Sequence, residues 1–234
     1  MNTKGVMLIT GTRKGIGYEL ATHYAGNGYT VIGCSRGESS LTMENYFHYV
    51  LDITDEKSVR SMFGDIRKKY GRLDVLINNA AINQTLSPAI LVSLSAAENT
   101  MRTNFLGSFL MAREGVKIMM KNSFGRIINM GSMAVKHEEK GEAIYTASKA
   151  AVIAFTKVLA KEVYDYGITC NVVSPSAIQT DMLEPIDKEA LQQVLKRNAI
   201  PELGTAAELI HTLNWLIDKD SNKITGQNIY LGGV

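Results

Sequence analysis

Short apolar, β-branched runs recur along this chain at Val6–Ile9, Thr30–Cys34, Tyr49–Ile53, Val75–Ile77, Ile127–Met130 and Ile168–Val173. Between most of them lie longer stretches with helical spacing of apolar positions, at Ile16–Ala25, Glu56–Lys69, Ala96–Lys121 and Ala147–Tyr164. Strands that alternate with helices over the whole length predict βαβ units, and hence a parallel sheet covered on both faces. The expected fold class is α/β, a three-layer, doubly wound parallel sheet. No linker, repeat or low-complexity tract interrupts the rhythm, so residues 1–234 read as a single domain. Pro175, Pro185 and Pro201 all follow the sixth run, which places the loop-rich region near Ser174–Pro201. In such a sheet ligands bind beyond the carboxyl ends of the strands, and chemistry is to be sought there.

Composition narrows the partners. A chain of 234 residues can bury one sizeable core, and its charged and apolar fractions are those of a soluble globular protein. The net charge of +2, without a basic block, argues against a nucleic-acid partner. No apolar run approaches the ~20 residues of a membrane span. Met1–Gly5 leads straight into an apolar strand, so neither a signal nor a transit segment is expected. Cys34 and Cys170 lie in apolar segments without metal-ligand spacing; reduced core thiols, a cytoplasmic protein and no metal site are the expectation.

The first strand ends in Thr10-Gly11-Thr12-Arg13-Lys14-Gly15-Ile16-Gly17, and a helix follows. Glycines there permit a tight turn and close backbone approach to a pyrophosphate, whose charge is met by N–H groups of the helix start. The spacing is one residue wider than the usual dinucleotide fingerprint. This turn resembles that of the short-chain dehydrogenase/reductase family, and the resemblance runs through nearly the whole chain. Asp52 and Ile53 follow the third strand, where the family contacts adenine. Asn78, Asn79, Ala80 and Ala81 stand for the family's Asn-Asn-Ala-Gly, Asn104 for its helix asparagine, and Ser132 for the serine after the fifth strand. Tyr145 and Lys149 match Tyr-x-x-x-Lys; Asn171–Pro175, with Ile178 and Thr180, matches the nicotinamide-side loop. Ile224–Gln227 matches the approach to the last strand. The resemblance implies a Rossmann fold, a nicotinamide cofactor, hydride transfer between a carbonyl and an alcohol, and a homodimer or homotetramer built on the two long helices.

Tyr145 and Lys149 are one helical turn apart and share a face. A tyrosine of pKa ~10 is a poor catalyst at neutral pH, and a nearby ammonium is expected to lower that value. Tyr145 would give its proton to a carbonyl oxygen, and Ser132 would hydrogen-bond the same oxygen as charge develops. By resemblance, Lys149 also holds the nicotinamide ribose and Asn104 anchors a water in the proton relay. His137 reads as a solvated residue of a charged loop.

The second strand ends Gly33-Cys34-Ser35-Arg36, with no carboxylate until Glu38. A ribose 2′-hydroxyl is usually met by an acidic residue here, a 2′-phosphate by a cation. Arg36 and Ser35, with Arg13 and Lys14 from the first turn, point to NADP(H).

Three departures stand out. The stretch Gly37–Phe47 is about ten residues shorter than the family norm, which predicts a crossover helix of only a turn or two. Ser176 replaces a usual glycine. The C-terminal half most resembles 3-oxoacyl-acyl-carrier-protein reductases, yet Ser123 and Tyr166 occupy the positions of their two carrier-docking arginines, which leaves carrier-protein docking doubtful. The reaction expected is NADP-dependent reduction of a small-molecule carbonyl. A dehydrogenase of a polar, sugar- or polyol-like substrate and a non-catalytic cofactor-binding regulator are the alternatives.

Overall fold

The computed structural model of the chain describes residues 3–83, 86–178 and 188–233. Its strands are β1 (Val6–Thr10), β2 (Thr30–Ser35), β3 (Tyr46–Val50), β4 (Val75–Asn78), β5 (Gly125–Met130), β6 (Ile168–Ser174) and β7 (Asn228–Tyr230). They form one sheet in the order β3-β2-β1-β4-β5-β6-β7, with every pairing parallel. The helices are α1 (Gly15–Gly26), α2 (Glu56–Tyr70), α3 (Leu94–Met101), α4 (Ser108–Asn122), α5 (Ala134–His137), α6 (Ala143–Val163), α7 (Lys188–Leu195) and α8 (Ala206–Ile217).

β1, β4, β5 and β6 are buried along their whole length, which is why they read as unbroken apolar runs. Successive side chains enter opposite layers. Leu8 and Leu76 pack with Phe63 of α2 and Met119 of α4, whereas Met7, Ile9 and Ile77 pack with Leu20 of α1 and Leu209 and Leu213 of α8. α6 is long and apolar enough to cross a bilayer by length and composition. It nevertheless buries Tyr145, Ser148, Lys149 and Thr156, as a core helix with a polar site does.

Several boundaries differ from the sequence reading. β3 lies at Tyr46–Val50 rather than Tyr49–Ile53, because Leu51 and Ile53 are buried beyond the strand's end and extend its apolar run. No helix forms between β2 and β3; residues 36–45 cross as loop and turn, with Leu41 and Met43 packed on the core. The helix read at Ala96–Lys121 is divided into α3 and α4 by a wide π turn at Arg102–Gly107. α8 was not anticipated, although its capping box, Thr205 with Glu208, is visible in the sequence.

β1 pairs with β2 on one side and β4 on the other, so the chain reverses its direction of winding there. A crevice opens at such a point because the loops leaving the two strands diverge. Thr10 pins its floor: its hydroxyl accepts the backbone N–H groups of Asn79 and Ala80 at 3.0 and 2.9 Å.

Candidate active site

A cleft of roughly 670 Å³ runs over the carboxyl ends of the strands, from the Gly11 turn to Tyr145 and α7. Its floor depends on glycine. Gly11 and Gly15 have φ of 78° and 58°, a region that disfavours side chains. A Cβ on Gly17 would overlap the Gly11 carbonyl oxygen. These glycines thus leave a cradle open at the start of α1, where the N–H groups of a helix N-terminus favour a pyrophosphate.

Most residues predicted to hold a cofactor line this cleft: Gly11, Arg13, Lys14, Gly15, Ile16 and Gly17 at the turn, Ser35 and Arg36 after β2, and Asp52 and Ile53 after β3. Asn79, Ala80 and Ala81 line it after β4, and Tyr145, Lys149, Pro175 and Ile178 at the far end. Thr12 is a correction. It is fully buried, and its hydroxyl meets the Tyr46 phenol at 2.8 Å, so its side chain faces β3 instead of the cleft. Thr180 lies outside the described residues. Arg13 and Arg36 are exposed at the β2 end, which sets two cations where a 2′-phosphate would sit.

At the other end, β5 delivers Ser132 and α6 delivers Tyr145 and Lys149. Tyr145 is 8 % exposed and hydrogen-bonds to the Ser132 side chain. Lys149 is 4 % exposed, donates to the Met130 carbonyl at 2.7 Å, and stands 5.8 Å from the centre of the Tyr145 ring. Burial pushes the Tyr145 phenol up to about 12, although the Ser132 bond opposes the rise. Burial also pulls the Lys149 ammonium down to about 8. The expected lowering of the tyrosine is therefore not what this arrangement produces. Desolvation outweighs the ammonium, and Tyr145 stands as a protonated phenol, ready to donate.

Asn104 sits in the π turn, a wide turn often found at functional sites. Its Nδ2 donates to the Ile82 carbonyl at 2.9 Å and to Ser148 Oγ at 3.0 Å, while its Oδ1 accepts from the Ile82 N–H at 2.8 Å. Both amide protons are thus engaged by protein. Asn104 thereby ties the segment after β4 to α6.

The turn, the β2-end cations and the Ser132, Tyr145, Lys149 group together agree with what comparison finds: the model of the short chain dehydrogenase family matches residues 5–191. The chain belongs to this family. It is 33% identical over 236 residues to the 3-oxoacyl-[acyl-carrier-protein] reductase FabG of Haemophilus influenzae, covering 97% of this chain and 96% of that one. It is also 33% identical over 242 residues to the FabG of Escherichia coli, covering 100% and 98%. Among solved structures, ElxO with NADP bound superposes with a TM-score of 0.90 at 32% identity, over 98% of this chain and 97% of that one. An ElxO variant with NADPH bound gives 0.89 at 32% identity, over 97% of each.

Within this family frame, the structure adds residues that sequence reading passed over. His137 is half-buried: α5 turns it inward and its Nε2 meets Asn198 Oδ1 at 2.9 Å, so it is not the solvated side chain expected. Asn198 in turn donates to Ser176 Oγ at 2.8 Å, which gives the serine in place of glycine a structural use. Glu139 pairs with Arg197 at 2.7 Å. Glu142, one turn before Tyr145, lines the cleft; burial raises its carboxyl, and Glu139 adds to the rise. Its spacing from Tyr145 was a readable signal. Arg197 and Asn198 had none, being brought to the mouth only by the packing of the segment after α7.

Proposed function

We propose that this chain is an NADPH-dependent reductase that converts a ketone to a secondary alcohol, with a 3-oxoacyl group as the substrate type suggested by its FabG relatives. The observation that carries the reading is the convergence of Tyr145, Ser132 and Lys149 at one end of a glycine-floored cleft whose other end presents Arg13 and Arg36. The pyrophosphate fits the Gly11–Gly17 turn, the 2′-phosphate the two arginines, and the ribose Lys149. When bound, NADPH supplies the hydride to the carbonyl carbon. Tyr145, which burial keeps as a protonated phenol at neutral pH, delivers that proton to the carbonyl oxygen. Ser132 hydrogen-bonds the same oxygen and stabilises the charge that develops there. Lys149, anchored to the Met130 carbonyl, fixes the ammonium beneath the phenol. NADPH consumption measured with an oxoacyl thioester, a simple diketone and a keto-sugar tests the reading; no turnover with any of them would favour a cofactor-binding regulator.

A second reading concerns the substrate alone. The mouth carries Asn83, His137, Glu139, Glu142 and Arg197 alongside Leu86, Leu191 and Val194; the polar side chains support a compact polar carbonyl compound as the alternative to a long acyl chain. Leu106 and Val158, 46% and 57% exposed beside and on the long helices α4 and α6, support a homodimer or homotetramer joined through those helices. The two free, buried cysteines suit a reducing cytoplasm.

A further inference from the structure

Beneath the β2 end of the cleft lies a chain of hydrogen bonds that the reaction does not use. Thr12 Oγ1 and the Tyr46 hydroxyl are 2.8 Å apart, and the same hydroxyl is 2.7 Å from His48 Nδ1. On the other side of the ring, His48 Nε2 lies 3.1 Å from Ser35 Oγ and 3.0 Å from the Gly37 carbonyl oxygen. Ser35 Oγ is itself 2.7 Å from that carbonyl.

Counting protons gives the chain a direction. The Gly37 oxygen can only accept, so it takes the Ser35 hydroxyl proton and a share of an N–H at His48 Nε2. Ser35, its one proton committed, accepts from Nε2 as well. In the neutral ring Nδ1 then accepts, and the Tyr46 hydroxyl is its donor. The Tyr46 oxygen in turn accepts from Thr12. Donation runs from Thr12, whose Oγ1 lies 2.8 Å from the Tyr46 hydroxyl and 3.4 Å from His48 Nδ1, through Tyr46 and His48 to the Ser35–Gly37 loop.

Room for this chain is made by glycine. A Cβ on Gly33 would overlap both the Tyr46 and the Thr12 hydroxyls. The loop that receives the last bond carries Arg36. Gly37 lies against Arg13, whose Nη1 is 2.9 Å from the point a Cβ there would occupy. Holding Ser35–Gly37 therefore sets the position of both cations at once.

We propose that His48 is a positioning residue for the 2′-phosphate of the cofactor: its Nε2–H holds the Ser35–Gly37 loop so that Arg36 and Arg13 converge on one point. This rests on the NADPH reading above. Ser35 serves as part of the brace, since its proton goes to Gly37. A preorganised loop loses less freedom on binding, and that gain applies only to the ligand that carries the phosphate.

The test is titration of NADPH and NADH against the wild-type protein and the variants His48→Leu, His48→Gln and Tyr46→Phe combined with Thr12→Val. His48→Leu is expected to weaken NADPH about tenfold, the scale of one lost hydrogen bond, and to change NADH less than about twofold. His48→Gln, which restores an N–H near the Nε2 position, is expected to recover most of the loss. A parallel weakening of both cofactors, or none, overturns the proposal. If His48→Leu does not fold, Tyr46→Phe combined with Thr12→Val decides, because together they remove both hydroxyls within reach of His48 Nδ1. The double variant should lower the NADPH-to-NADH affinity ratio severalfold, and an unchanged ratio overturns the proposal. Equal wild-type affinity for the two cofactors would instead refute the NADPH reading itself, whereas a wild-type preference that survives in His48→Leu refutes only the role of His48.

Discussion

The Lys149 ammonium stands 5.8 Å from the centre of the Tyr145 ring while donating to the Met130 carbonyl at 2.7 Å. Both side chains are buried, so each protonation state is set more by desolvation than by the other group. The result is a proton donor held in its acid form above a cation that burial has made easier to discharge.

Replacing Tyr145 by phenylalanine should therefore remove the proton donor and little else. Turnover with the best ketone is expected to fall by about 10²–10⁴-fold, the usual worth of a positioned acid. NADPH affinity should stay within a few fold of wild type, because the ring is kept. Steady-state rates and a cofactor titration on the same preparation check both halves.

Lys149 predicts a pH-dependent stability. Its folded-state pKa of about 8 lies below the ordinary 10.5, so between those values the unfolded chain binds the extra proton. Stability contributed by this group is present above 10.5 and is lost as pH falls through 8. Tyr145, raised to about 12, acts oppositely only above its ordinary value of 10.0, outside the lower part of that window. From pH 7.5 to 9.5 the protein without cofactor is expected to gain on the order of 1–2 kcal/mol. Lys149→Met should flatten that gain. Urea midpoints at the two pH values, in wild type and variant, measure it.

Arg36 is exposed at the phosphate end and is joined there by Arg13. A charge-assisted contact to a 2′-phosphate is worth about 1.5–3 kcal/mol, or roughly tenfold to a hundredfold in affinity. Arg36→Asp is expected to weaken NADPH by that factor and to leave NADH unchanged or improved. Retention of the wild-type ratio in this variant would remove Arg36 from the site.

These predictions draw on two kinds of residue. Tyr145, Lys149, Ser132 and the Gly11 turn were legible in the sequence because local rules place them: helical spacing, a strand end, a glycine that must take positive φ. The parallel sheet was legible for the same reason, since its central strands are buried on both faces. Other features depend on chain segments far apart in sequence. Thr12 turns from the cleft because its hydroxyl is hydrogen-bonded to that of Tyr46, on another strand. Asn104 is engaged by Ile82 and Ser148, and the wide turn that carries it has the composition of ordinary helix. The lowered tyrosine failed as an expectation because spacing gives the distance to a cation but not the burial, which is the larger effect here.

The mouth of the cleft bears on how substrate is delivered. An acidic carrier protein needs a cationic landing surface for a fast, salt-sensitive encounter. Ser123 and Tyr166 hold the positions where the resemblance to carrier-protein reductases would place docking arginines, and the exposed Asp165 beside Tyr166 adds negative charge. Of the lysines that could compensate, Lys117 is paired with Glu114 at 2.7 Å, while Lys121 and Lys161 are exposed. Nearer the reacting groups, the Glu139–Arg197 pair and the His137–Asn198 bond tie the loop after α5 to the segment after α7. A long acyl chain would have to pass between or displace these contacts, whereas a compact substrate would not. The specificity constant for one oxoacyl group is therefore expected to differ less than about tenfold between a carrier-bound form and a short thioester mimic, with little dependence on salt. Arg197→Ala, which opens the strap, should raise turnover of longer acyl mimics relative to short ones. A large, salt-sensitive preference for the carrier form in the wild type would show that another surface does the docking, and no change in chain-length preference in Arg197→Ala would show that the strap does not gate the mouth.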